Sequence, residues 1–285
     1  MKIISINSSK DDLAKKVLQQ TYDNYIVETG VFDDKETVHL CISSQIGCPI
    51  GCKMCYNGLE KKFYRNLNSN EIIMQVENII QELNLTNLYN NIWFSFMGVG
   101  EPLLNIKNVL TSIVYLQEKY KNSFFALATT IPNYKSFDEL LNAVKYINNF
   151  KLTISLHSAI DEKRKLLIPT HSSLKELREC MEKFKSMTNH KCEWNYVLLK
   201  DFNDLNLDYD RLLKFLKYDD RIKISTYNPI ELGVFSKSTQ ERYEILHNLL
   251  NSHNIYNSKF ESVGDSIDVG CGQMAAKRLE KIGRN

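Results

Sequence analysis

Ten residues constrain this chain more than any others: Gly47-Cys48-Pro49-Ile50-Gly51-Cys52-Lys53-Met54-Cys55-Tyr56. Three cysteines stand at C-x3-C-x2-C spacing, and the glycines at 47 and 51 let the backbone bend tightly around them. Short gaps of this kind suit a loop wrapped round a soft metal centre, because thiolates favour iron–sulfur clusters, zinc or copper(I). Structural zinc normally takes four ligands, often as two C-x2-C pairs, and no second pair occurs here. Three thiolates without an obvious fourth fit a cubane cluster with one iron left open, and an open iron is a reaction site.

The chain has 285 residues, 43% of them hydrophobic. That is enough for one large core, and α/β barrels reach this size as single domains. The net charge of +2 announces no global polycation, so any contact with nucleic acid must come from a local patch. Seven cysteines invite a disulfide reading. Three of them are clustered, however, and Met1-Lys2-Ile3-Ile4-Ser5 opens no long apolar run. A reducing cytoplasm is the expectation, and no apolar run reaches membrane-spanning length.

Residues 10–20, with apolar positions at 13, 14, 17 and 18, predict a short amphipathic helix. Tyr25 to Phe32, the turn Asp33-Asp34-Lys35, and Val38 to Ile42 predict a β-hairpin leading into the cysteine loop. Beyond the loop, strands and helices alternate. Strands are expected at 92–97, 124–129, 152–156, 193–199 and 222–227, with a last short one at 260–263. Helices are expected at 70–80, 107–120, 137–147, 173–187, 208–217 and 239–252. Ser173 and Glu176 form a capping-box pattern. Repeated βα units predict a parallel sheet with helices outside, curled into a partial (β/α)6 barrel. The expected divisions are an N-terminal extension of helix and hairpin (1–40), the barrel (41–265) and a C-terminal segment (266–285).

Such barrels carry their chemistry at the C-terminal ends of the strands, and every remaining motif falls there. Met97-Gly98-Val99-Gly100-Glu101-Pro102 follows the second barrel strand; glycines allow close backbone approach, and a carboxylate accepts from an ammonium group. Thr129 and Thr130 end the third strand, and the pattern does not choose between them. Ser155-Leu156-His157 ends the fourth, where a hydroxyl and an imidazole suit ribose or carboxylate oxygens, although a lone histidine is more often structural. Asn228, before Pro229, ends the sixth; its amide suits adenine or ribose, or simply a pre-proline turn. Cys180 and Cys192 match no motif and read as a helix-face and a strand-edge residue.

The cysteine spacing, with an aromatic beside the third cysteine, resembles the signature of radical S-adenosylmethionine (SAM) enzymes. Gly100-Glu101-Pro102 resembles the element that holds the SAM amino group, and Leu103-Leu104-Asn105 the form found in the RNA-methylating branch. Cys41, seven residues before Cys48, and Cys271, flanked by glycines, complete a segment-by-segment resemblance over residues 26–277 to the adenosine methyltransferases of the RlmN and Cfr group. Glu28, thirteen residues before Cys41, falls at that group's proton-acceptor position.

The resemblance implies a partial barrel of radical SAM type, with a 4Fe–4S cluster on Cys48, Cys52 and Cys55. It implies two SAM molecules per turnover, held by Gly100, Glu101, Thr129, Ser155, His157 and Asn228. In that scheme one SAM methylates Cys271 by ordinary displacement. The second is cleaved at the cluster, and the resulting 5′-deoxyadenosyl radical takes hydrogen from the new methyl group. The thiomethylene radical adds to an adenine carbon. After electron loss and deprotonation at Glu28 or Cys41, Cys41 attacks the Cys271 sulfur, leaving a disulfide and methylated RNA.

The implied partners are RNA (23S rRNA, or tRNA) and an electron donor such as flavodoxin or ferredoxin, for a monomeric cytoplasmic enzyme. C2 of adenosine is the default position. C8 methylation giving antibiotic resistance, radical chemistry on a peptide or small molecule, and a non-catalytic metal-binding module are the rivals. The group usually carries an RNA-binding domain ahead of the Glu28 region, and the 27 residues before Glu28 are too few for one. RNA docking is therefore expected on the barrel face, at Lys61-Lys62, Arg65, Lys163-Arg164-Lys165 or Lys277-Arg278-Leu279-Glu280-Lys281.

Overall fold

A computed structural model of the chain describes residues 1–169, 172–231, 233–261, 263–275 and 277–278. Residues 279–281 of the C-terminal basic stretch, and residue 262 of the expected last strand, lie outside the described residues.

The elements run in chain order as follows. β1 (Lys2–Ser8), β2 (Ala14–Gln20), β3 (Tyr25–Asp33), β4 (Thr37–Cys41) and β5 (Gln45–Gly47) precede the cysteine loop. Then come α1 (Tyr56–Glu60), β6 (Phe63–Asn66), α2 (Ser69–Glu82), α3 (Leu85–Leu88), β7 (Asn91–Phe96), α4 (Ile106–Lys119), β8 (Ser123–Thr129), α5 (Tyr134–Val144) and β9 (Phe150–Ser155). α6 (Asp161–Leu167), α7 (Leu174–Met187), β10 (Lys191–Leu198), α8 (Asn206–Phe215), β11 (Arg221–Thr226), α9 (Gln240–Ser252), β12 (Tyr256–Phe260) and β13 (Lys277–Arg278) complete the list.

One large sheet organises the molecule, in the order β1-β2-β3-β4-β7-β8-β9-β10-β11-β12, with β13 added to β3. From β4 to β12 every neighbour is parallel, as strands joined by helical crossovers are. The six expected barrel strands are all present. The last expected strand forms earlier than its apolar residues suggested, as β12, and pairs parallel to β11. Among the described residues no strand pairs β12 back to β1, so the sheet is an open, partial barrel.

Alternation along the strands separates two faces. Leu40, Phe94, Leu127, Leu152, Ile154, Trp194 and Ile224 are buried in the main core. The neighbouring positions Ser95, Thr153, Ser155, Asn195, Lys223 and Ser225 carry polar groups on the opposite, inner face. There the buried Glu193 takes Lys151 at 2.8 Å, Lys223 at 3.7 Å and the Thr153 hydroxyl at 3.2 Å. α7 begins at the expected capping box, Ser173 and Glu176 bonding each other's backbone amides.

The N-terminus differs from expectation. Residues 14–20 form a strand, not a helix. β2 pairs on one side with β1 and on the other with β3, so its backbone groups are satisfied without helical bonds. Its polar side chains find partners that a surface helix would leave in water. Lys16 lies 3.6 Å from the Glu28 carboxylate, and Gln19 donates to the Gln75 carbonyl at 2.8 Å. The apolar spacing at 13, 14, 17 and 18 matched a helix only because the polar positions between them were assumed to face solvent.

Candidate active site

The cysteine loop is fixed by its neighbours. Gly47 has a positive φ of 76°, and a Cβ there would fall 2.0 Å from the Lys62 carbonyl oxygen. The Cys48 amide donates to that same carbonyl at 3.0 Å. β5 and β6, antiparallel partners on either side of the loop, hold this arrangement. Lys53 N–H donates to the Leu167 carbonyl at 2.8 Å, tying the loop to the end of α6. Ile50 and Met54 pack with Leu167, Ile168 and Tyr227, and Cys48 and Cys52 lie against that cluster.

Cys48, Cys52 and Cys55 line one cavity of about 150 Å³ together with Gly100, Glu101, Thr129, Thr130 and Ser155. All three thiols are pushed up in pKa, Cys48 to about 12, with burial as the main cause and mutual repulsion adding to it for Cys48 and Cys52. Among the described residues no three such side chains converge on a single metal ion. Three thiols spread round a cavity fit a polynuclear cluster, in which each holds a different iron.

Glu101 is buried, and its carboxylate is already well served. Oε1 accepts from the Thr129 hydroxyl at 2.6 Å and the Leu103 amide at 3.1 Å. Oε2 accepts from the Thr130 amide at 2.9 Å and the Thr130 hydroxyl at 3.0 Å. Burial raises its pKa and these bonds oppose the rise. Both threonines therefore brace Glu101, which answers differently the question of which one is a ligand. The glycines of this loop meet the chain itself. A Cβ on Gly98 would lie 2.7 Å from the Ile42 carbonyl, and one on Gly100, at φ 111°, 2.7 Å from Gln45 Cβ.

His157 does not line the cavity. It is buried at the end of β9 with φ 55°, and its Nδ1 accepts from the Val197 amide at 3.0 Å. Burial, then the charges of Arg164 and Lys223, pull its pKa down to about 3, so the ring is neutral and Nε2 carries the proton. Asn228 donates to the Cys271 carbonyl at 3.2 Å. Glu28 accepts from the Ala275 amide at 2.9 Å.

Those last two bonds belong to a set that docks the C-terminal segment on the cysteine loop. Tyr56 N–H donates to the Gly272 carbonyl at 2.9 Å, and Asn57 Nδ2 to the Met274 carbonyl at 2.6 Å. Val269 and Met274 pack with Ala14 and Val99, and Cys41 lies against the same group. Cys271 is exposed, yet the protein atoms packed round it hold its pKa above the usual thiol value; Lys223 pulls the other way and Cys55 pushes it up further. Burial, and then the neighbouring Cys271, raise the Cys41 thiol, against the Met97 amide and Lys223. Both cysteines are free thiols.

Sequence reasoning missed Arg164, read as one lysine-flanked surface cation. It is 1% exposed. Its guanidinium donates to the carbonyls of Ser172 (2.9 Å), Ser155 (3.1 Å) and Thr130 (3.3 Å), and its Nε has no partner. It thereby ties the ends of β8 and β9 together, near enough to Cys52 for the two charges to interact. The signal was present: Arg164, Leu167 and Ile168 share one helix face by i, i+3, i+4 spacing. Lys163 and Arg65 are likewise engaged internally, Lys163 with Asp208 at 2.6 Å and Arg65 with Asp23 and Glu71 at 2.7 Å each.

The pattern of the Radical SAM superfamily matches residues 42–225. The chain belongs to the radical SAM superfamily. Within it the chain is 34% identical to a probable dual-specificity RNA methyltransferase RlmN of Prochlorococcus marinus (strain NATL2A), over 95% of this chain and 76% of the relative. It is 35% identical to the corresponding protein of Chlorobium phaeobacteroides (strain DSM 266), over 93% and 74%. A radical SAM methyltransferase from Sphaerobacter thermophilus shares the fold at a TM-score of 0.87 and 24% identity, over 95% of this chain and 80% of that one. These relatives make the chain a radical SAM RNA methyltransferase, and the superfamily implies a 4Fe–4S cluster and SAM. The three thiols round one cavity fit such a cluster. No helix among the described residues is long and apolar enough to cross a membrane.

Proposed function

We propose that this radical SAM enzyme methylates C2 of an adenosine in 23S rRNA through a methyl group carried on Cys271. The observation that carries the reading is the docking of the Cys271 loop against Cys41 and the cysteine loop by bonds from Tyr56, Asn57 and Asn228 and by the bond that Glu28 accepts from the Ala275 amide. Cys48, Cys52 and Cys55 would hold the cluster, with Gly100, Glu101, Thr129 and Ser155 at the walls of the SAM cavity. When bound, the cluster supplies the electron that cleaves SAM and so generates a carbon radical.

The chain's own residues divide the remaining work. Cys271, as its thiolate, accepts a methyl group by displacement at the SAM sulfonium, and Lys223 favours that thiolate. Transfer of a hydrogen atom from this methyl to the SAM-derived carbon radical leaves a thiomethylene radical that adds to the adenine carbon, joining protein to RNA. The adduct loses one electron, for which the oxidised cluster would serve as acceptor, and one proton, which passes to Glu28 or Cys41. Cys41 thiolate then attacks the Cys271 sulfur: an S–S bond forms, the S–CH2 bond breaks, and the released carbon takes a proton to become methyl. A dithiol reductant restores both cysteines for the next turnover. His157, accepting from the Val197 amide, holds the ends of β9 and β10 together.

Anaerobically reconstituted enzyme, SAM, reductant and protein-free rRNA, followed by nucleoside mass spectrometry, test this reading. 2-Methyladenosine is expected; 8-methyladenosine or no methylated nucleoside overturns it. Cys271→Ala abolishes methyl transfer, and Cys41→Ala accumulates RNA covalently joined to protein. Free turnover by Cys41→Ala sinks the disulfide step.

A further inference from the structure

Arg65 and Lys163 are engaged internally and Arg164 is buried, so these three cations are not free to dock RNA. Another surface lies beside the cavity. In the register of β3 and β4, Gly30 pairs with Cys41, which ends β4 at the catalytic end of the sheet. The earlier part of β3, and the turn 21–24 before it, therefore project beyond that end. β6 stands at the same rim, since Phe63 pairs with Gly47 at the entrance to the cysteine loop.

Three rings are displayed there: Tyr22 is 81% exposed, Phe63 44% and Tyr64 39%. Tyr22 and Tyr64 are held in place. Arg65 grips Asp23 with Nε and Nη2 at 2.7 Å each, clamping the turn onto β6, and its guanidinium lies 5.5 Å from the Tyr22 ring. Tyr64 packs on Tyr25 with ring centroids 4.8 Å apart. Asp23 and Glu71 are turned inward to Arg65; Lys62 is paired with Glu60 at 2.6 Å, and Lys61 is exposed. Large half-exposed rings on a rigid support offer faces to other rings, and every nucleobase has such a face.

We propose that Tyr22, Phe63 and Tyr64 form a stacking platform for unpaired RNA bases at the rim of the catalytic mouth, with Lys61 meeting an adjoining phosphate. The platform rests on RNA being the substrate. It admits looped or single-stranded RNA and disfavours duplex, whose bases are already stacked.

Binding is measured by fluorescence anisotropy with a labelled RNA hairpin bearing an adenosine-containing loop, and with the fully paired duplex as comparison. Wild type prefers the hairpin. Phe63→Ala/Tyr64→Ala weakens hairpin binding by about tenfold or more, as loss of base–aromatic stacking does, and erases the preference over duplex. Tyr22→Ala, a change too exposed to affect folding, weakens it in the same direction. Hairpin affinity unchanged in both variants, with wild type binding normally, overturns the platform and leaves the RNA reading standing. Unchanged RNA affinity with slower cluster reduction by a flavodoxin overturns it in favour of a donor-docking surface. Failure of wild type to bind or methylate any RNA overturns both readings.

Discussion

At the scale of single residues, burial decides what each polar group can do. His157 shows this most directly. Its pKa of about 3 in the fold stands against about 6.5 in an unfolded chain. Above pH 6.5 both states hold the ring neutral, and the group adds no pH dependence. Between pH 6.5 and 3 the unfolded state binds the extra proton, so stability falls as pH falls. From pH 7 to pH 5 this one residue removes about 2 kcal/mol. Asn suits the positive φ, and its side-chain oxygen can take the place of Nδ1 as acceptor for the Val197 amide. His157→Asn is therefore expected to match wild type in urea unfolding at pH 7 and to be about 2 kcal/mol less sensitive to the drop to pH 5. Parallel pH profiles for the two proteins would contradict a buried neutral histidine.

Among elements, the cysteine loop and α1 form one unit. Gly58 lies in α1 directly over Cys52, where a Cβ would meet the Cys52 carbonyl oxygen at 2.0 Å and its nitrogen at 2.5 Å. Both are backbone atoms, so the loop itself must move. Gly58→Ala is expected to cut iron and sulfide content after reconstitution by at least half while circular dichroism of the barrel stays unchanged; full cluster content would show that the loop is adaptable. This dependence was not legible in the sequence, because Gly58 lies outside the C-x3-C-x2-C pattern. What was legible were elements whose local and tertiary preferences agree: the βα alternation, and the Ser173–Glu176 box that starts α7. β2 was misread because strand pairing on both sides and buried partners for Lys16 and Gln19 override local periodicity. The cysteines and the strand-end motifs could be read for their chemistry. That Thr129 and Thr130 both serve Glu101 could not, since it depends on two strand ends meeting in space.

For the molecule as a whole, the problem is to bring residue 271 back to residue 41. The sheet provides the return path: β13 adds antiparallel to β3, with Lys277 opposite Ile26, and Glu28 of β3 holds the Ala275 amide between the two. Glu28 anchors the Cys271 segment, and the proposed function also gives its carboxylate a proton to take during turnover. Two substitutions separate these roles. Gln keeps a carbonyl oxygen for the Ala275 amide but is no base at neutral pH; Ala removes both. A hydrogen bond to a charged group contributes about 1.5–3 kcal/mol, so Glu28→Ala should speed amide hydrogen exchange at Ala275 by about tenfold to a hundredfold, leaving the β7–β10 amides as they are. Glu28→Gln should restore most of the protection. If Glu28 is the base, both variants lose RNA methylation. If it is only the anchor, Glu28→Gln methylates RNA nearly as wild type does. Exchange at Ala275 that ignores Glu28→Ala would rule out the anchor, and the docking of Cys271 would then rest on the bonds from Asn57, Tyr56 and Asn228 and on the packing of Val269 and Met274.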